Sequence, residues 1–89
     1  MSAPRVEIHY CTQCKFLMRA SWLAQELLTT FDQDLGEVAL VPGRGGIFEV
    51  TLDGEAVFSN REAGRFPEVR EIKLALKERV APERKIGHD

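Results

Sequence analysis

Val6, Ile8 and Tyr10 alternate with Glu7 and His9, a period of two that predicts a strand with one buried face ending at Cys11. From about Thr12 to Phe31 the period changes. Phe16, Ala20, Leu23, Leu27 and Phe31, flanked by Leu17, Ala24 and Leu28, recur at helical spacing. Asp32 to Gly36 supplies a turn, with Gly36 free to take a positive φ, and Val38–Val41 is apolar on both faces, as a strand inside a sheet would be. Pro42-Gly43-Arg44-Gly45-Gly46 reads as a mobile connection. Residues 47–52 and 56–59, joined through Asp53-Gly54, predict a hairpin. After a polar loop, Pro67 fits a first helical position, and Val69, Ile72, Leu76 and Val80 form one face of a closing helix. Residues 81–89 form a charged tail.

The predicted order is β-α-β-β-β-α. Two strands joined through a helix are parallel with a right-handed crossover, and a hairpin is antiparallel, so the sheet is mixed and four-stranded. No helix separates Val41 from the hairpin, so both helices fall on one face and the other lacks a helical cover. In a two-residue hairpin Phe48, Val50 and Leu52 share the core face with Val57. Ile47 and Phe58 then lie on the less covered side, where they could seed a homodimer. This α/β (α+β) arrangement is the minimal thioredoxin-like one, in which a C-x-x-C lies between the first strand and the first helix.

Composition narrows the function. Eighty-nine residues, 44% hydrophobic and 29% charged, make one domain, 1–89, able to fold without structural disulfides. Twelve basic against 14 acidic side chains leave a net charge of −2, which argues against nucleic acid and anionic membranes as partners. Residues 1–5 carry no apolar signal core and no apolar run approaches a membrane span, so a cytoplasmic location is expected. Cytoplasmic thiols are held reduced, so Cys11-Thr12-Gln13-Cys14 points to redox or metal chemistry and not to a structural bridge.

A thiolate performs disulfide exchange, and a helix N-terminus lowers a thiol pKa. With Cys11 at or beside the cap and Cys14 one turn further, helix-terminus electrostatics assign the attack to Cys11 and the resolving step to Cys14. Other readings stay open. Zinc needs four ligands, and one cysteine pair with His9 and His88 falls short unless two chains share a site. Two inert core thiols are a further alternative, and so is a non-catalytic interaction module whose cysteines switch partner binding. Alternation puts His9 on the face of Glu7, as a surface histidine. Lys15 and Arg19 could attract an acidic thiol such as glutathione, or simply be solvated. Met18 and Trp22 lie off the buried stripe, as a binding patch or packed under the Gly43–Gly46 loop.

Tyr10-Cys11-Thr12-Gln13-Cys14, Gly46-Ile47-Phe48-Glu49-Val50, Phe58-Ser59-Asn60-Arg61 and Gly64-Arg65-Phe66-Pro67 occur in this order. From about Val6 to Val80 the chain resembles the Rdx-type selenoproteins (the selenoprotein W, T and H group), specifically the short bacterial selenoprotein W-like members. The resemblance implies a thioredoxin-like fold and a thiol redox role in cell redox homeostasis, linked in the wider family to glutathione and antioxidant defence. It implies no bound cofactor beyond glutathione as a co-substrate, with protein thiols or disulfides as partners. It makes Cys11 and Cys14 the catalytic pair. Cys14 matches the position that is selenocysteine in several animal members, which favours Cys14 as the attacking residue and implies slower chemistry here. Thioredoxins carry a cis-proline before the strand facing the active site, whereas here Gly46 precedes Ile47.

Overall fold

A computed structural model describes residues 3–87. Strand β1 (Arg5–Cys11) leads to α1 (Leu17–Thr30), β2 (Glu37–Gly43), β3 (Phe48–Leu52), β4 (Glu55–Ser59), a one-turn α2 (Asn60–Ala63) and α3 (Val69–Val80). The sheet order is β2-β1-β3-β4, parallel between β1 and β2 and antiparallel elsewhere. This is the mixed four-stranded α/β arrangement in the predicted order, with α2 added where a polar loop was expected.

The alternation of β1 is realised: Val6 and Ile8 are fully buried and pair with Leu52 and Val50 of β3. Ala20, Leu23 and Leu27 of α1 and Ile72 and Leu76 of α3 pack on that same face, so both long helices cover one side of the sheet. The two helices are tied together by Lys73, almost wholly buried, whose Nζ lies 2.9 Å from Glu26 Oε1.

Several expectations are corrected. Helix α1 begins at Leu17, not near Thr12, because residues 12–15 form a turn with Lys15 at φ 58°, outside the helical region. Strand β2 lies at an edge of the sheet, not inside it. Its two apolar faces arise because Val38 joins the helical side while Ala39 pairs with Glu7 on the other. Gly36 does not adopt a positive φ. Glycine suits that position because a Cβ would come within 2.6 Å of Ala3 Cβ.

The hairpin register shifts by one residue. Leu52 faces Glu55 and Thr51 faces Ala56 across the Asp53–Gly54 turn, but Val50 then faces Phe58, leaving Val57 as a bulge. Phe58 is therefore turned into the core, 8% exposed, which removes it from the face proposed to seed a homodimer, and Ile47 is half-buried. Helix α3 starts at Val69 with Glu68 as its cap, so Pro67 stands just outside the helix. The Glu68 N–H donates to Glu71 Oε1 at 2.9 Å, and Arg65 grips Glu71 from the preceding loop at 2.6 Å. The charged segment after Pro82 folds back: Ile86 is buried in the core and Arg84 pairs with Asp34 at 2.9 Å.

Candidate functional site

Strand β1 ends by handing its last residue to the loop between β2 and β3. The Cys11 N–H donates to the Ile47 carbonyl at 2.9 Å and the Thr12 N–H to the Gly43 carbonyl at 3.2 Å. These bonds hold Cys11 in the sheet while the chain reverses through Thr12–Lys15. The turn ends at Phe16, whose ring meets Phe66 edge-on at 4.7 Å between centroids and Phe48 at 6.3 Å. One end of the C-x-x-C segment is thus fixed by backbone pairing and the other by an aromatic cluster.

The two sulfurs are 2.7 Å apart, in hydrogen-bond contact and not bonded covalently. They differ in access: Cys11 is 1% exposed, whereas Cys14 faces solvent. The Cys14 thiol lowers the Cys11 pKa below the ordinary cysteine value, assisted against the cost of burial by the N–H groups of Gly46, Gln13 and Cys14. Sharing a proton with Cys11 raises Cys14, because the second ionisation would set two thiolates side by side. Both cysteines precede the first residue of α1, so the placement of Cys11 at the cap and Cys14 inside the helix does not hold. The lowering of Cys11 comes from a neighbouring thiol and local amides, with burial opposing it.

The glycine-rich loop is clamped. Asn60 Nδ2 donates to the Gly46 carbonyl and Asn60 Oδ1 accepts from the Phe48 N–H, each at 2.8 Å. Arg61 Nη2 donates to the carbonyls of Arg44 and Gly45 at 3.3 and 3.1 Å. Gly46 has φ 76°, which a residue with a side chain rarely adopts. The mobile connection expected from composition is therefore a held one, and α2 is what holds it. The Phe58-Ser59-Asn60-Arg61 motif was the signal for these two residues in the sequence, although nothing in residue type alone assigns them to the cysteines.

The other residues singled out in the sequence fall outside this constellation. His9 Nε2 lies 3.1 Å from Glu7 Oε1 on the sheet face away from the helices, and His88 lies outside the described residues. Arg19 is placed over the Phe66 ring, 4.3 Å from its centroid. Met18 is 83% exposed and Trp22 53%, so neither packs under the glycine loop. Trp22 instead borders a cleft of about 70 Å³ with Phe66, Pro67 and Val69. Among the described residues, no helix is long and apolar enough to cross a membrane, and no three His, Cys, Asp or Glu side chains converge as metal ligands.

The comparisons agree with this architecture. A protein of Bordetella parapertussis is 50% identical, with a TM-score of 0.83 over 85% of this chain and 96% of its own. A selenoprotein W-related protein from Vibrio cholerae is 38% identical, with a TM-score of 0.83 over 86% of this chain and 96% of its own. A search of curated proteins gives no significant match. Residues 5–78 match the Rdx family, and with its C-x-x-C pair between β1 and α1, this chain belongs to that family.

Proposed function

We propose that the protein is a thiol–disulfide redox protein that works through Cys11 and Cys14. The observation that carries this reading is the 2.7 Å contact between a buried and a solvent-exposed sulfur. A disulfide needs about 2.05 Å between sulfurs, so a small inward movement closes the pair.

Access makes Cys14 the residue that meets a substrate. The earlier assignment of attack to Cys11 relied on a helix start that lies elsewhere, although the lower pKa at Cys11 agrees with it. Cys11, as thiolate, takes the Cys14 proton while Cys14 attacks a disulfide, forming one S–S bond and breaking another. The departing thiolate recovers that proton from Cys11. Cys11 then attacks the Cys14 sulfur of the mixed disulfide, the substrate leaves as its second thiol after protonation by water, and Cys11–Cys14 becomes oxidised. A thiol donor, glutathione or a protein dithiol, returns the pair to its reduced form with two electrons.

The test is turnover of a glutathione-linked or protein disulfide by the wild type, Cys11→Ser and Cys14→Ser. Repeated turnover by the wild type and loss in both variants supports the mechanism. A single change of state without turnover favours a redox-switched interaction module, and turnover retained by Cys11→Ser indicates a monothiol route.

A further inference from the structure

Cys11 is buried on the face of the sheet away from α1 and α3. Val6, Ile8 and Tyr10 of β1 pack on the helical side, and the alternation that puts them there places Cys11 with Glu7 and His9 on the other. Glu7 and His9 are half-exposed, yet Cys11 is almost wholly covered. The difference arises at the end of the strand, where Ile47 crosses it. On one flank the Ile47 carbonyl accepts the Cys11 N–H at 2.9 Å, and on the other Gly43 is the register partner of Cys11. Register partners in a parallel pair point their side chains to the same face. A Cβ built on Gly43 would lie 2.8 Å from Ile47 Cγ2, so the isoleucine side chain fills the space beside Cys11 on that face and reaches across to β2. Asn60 fixes the residues on both sides of Ile47, through the Gly46 carbonyl and the Phe48 N–H, each at 2.8 Å.

We propose that Ile47 is a specificity-determining residue: it shields Cys11 so that an incoming disulfide reaches Cys14 alone, with Gly43 leaving room for the shield and Asn60 holding it. Exchange within the pair stays open, because Cys14 Sγ meets Cys11 Sγ at 2.7 Å from the turn and not through the loop. Exchange from outside is closed at Cys11, since an attacked disulfide must come into line with the thiolate at contact distance. The shield thereby fixes the order of events. A substrate is joined first to Cys14 and released by Cys11, and a small thiol such as glutathione is not trapped on the buried sulfur. The inference deepens the redox reading and rests on it, but access to a thiol can be measured whether or not the protein turns over.

The experiment measures the rates at which fluorescein maleimide and iodoacetamide modify Cys11 in the reduced Cys14→Ser protein, alone and combined with Ile47→Ala or Ile47→Val. Both reagents react with the thiolate, so the ratio of the two rates cancels any change in thiol ionisation and reports access. Ile47→Ala is expected to raise that ratio about tenfold, with an unchanged circular dichroism spectrum. Ile47→Val keeps Cγ2, the atom that lies against Gly43, and should leave the ratio near that of the parent. The same two substitutions in Cys11→Ser should leave the ratio at Cys14 unmoved. An unchanged ratio at Cys11 in folded Ile47→Ala overturns the proposal, and so does an equal rise at Cys14. If Ile47→Ala does not fold, Asn60→Ala, which keeps the isoleucine but frees the loop around it, decides by the same criteria. A shield that opens as expected in a protein without turnover supports this inference and sinks the redox reading. Turnover with an unmoved ratio does the reverse.

Discussion

Cys11 Sγ and Cys14 Sγ touch each other, yet only Cys14 touches solvent. Reagent size should therefore separate the two. In Cys11→Ser, Cys14 is expected to react with small iodoacetamide and bulky maleimides alike. In Cys14→Ser, Cys11 should react with iodoacetamide and strongly resist the bulky reagent. Equal discrimination by the two variants would contradict the asymmetry of access.

Mild oxidation of the wild type is expected to remove two hydrogens from the mass and to block both thiols together. The sulfurs are already in contact and the turn is anchored at both ends, so far-UV circular dichroism should change little. Mass spectrometry of the intact, oxidised and re-reduced protein measures this directly.

The register at the bulge gives a stability test. Phe58→Ala is expected to cost about 3–5 kcal/mol, the range for removing a buried phenylalanine, and Val57→Ala clearly less. Urea unfolding of both variants compares them. The reverse order would restore the unbulged hairpin in which Val57 faces the core.

Ile86 is expected to behave as a core residue despite its charged neighbours. Ile86→Ala should cost about 2–4 kcal/mol, while Lys85→Ala next to it changes stability little. Denaturant midpoints again decide, and an unchanged midpoint for Ile86→Ala would make residues 82–87 a detachable segment.

Acid should weaken the start of α3. Arg65, and then the Glu68 N–H, hold the Glu71 carboxyl below the ordinary glutamate value. A carboxyl with a depressed folded-state pKa stabilises the fold fully above its unfolded value, about 4.3, and that stability disappears as pH falls through the lower folded value. Glu71→Gln keeps an acceptor for the cap but cannot titrate. Its stability should therefore fall less steeply than the wild type below about pH 4.3, measured by urea unfolding from pH 6 to pH 3. Glu7, lowered first by Arg5 and then by His9, is shifted in the same direction.

What could be read from the sequence was whatever a few neighbouring residues decide. The alternation of Val6 to Tyr10, the stripe from Ala20 to Leu27 and the Asp53–Gly54 turn each carry their own periodicity or turn chemistry. The bulge at Val57 does not, because it exists only when β3 presents Val50 and the core demands Phe58 rather than Val57 opposite it. Likewise, nothing in Thr12-Gln13-Cys14-Lys15 announces that Lys15 turns left-handed and delays the helix to Leu17. The cysteines themselves were visible by spacing, but their unequal burial was not. That depends on Gly43 to Ile47 crossing the end of β1, a contact more than 30 residues away in the chain.

Pro42 lies on β2, the outer strand beyond β1, where its missing N–H breaks the row of donors along that border. At the opposite border, β4 is five residues long and twisted by the bulge at Val57. A foreign strand seeking to extend the sheet thus meets an interrupted template on one side and a short, distorted one on the other. Two open borders that would otherwise invite fibre-like stacking are both made poor seeds for it, with β2 protected by a residue that a central strand could not have tolerated.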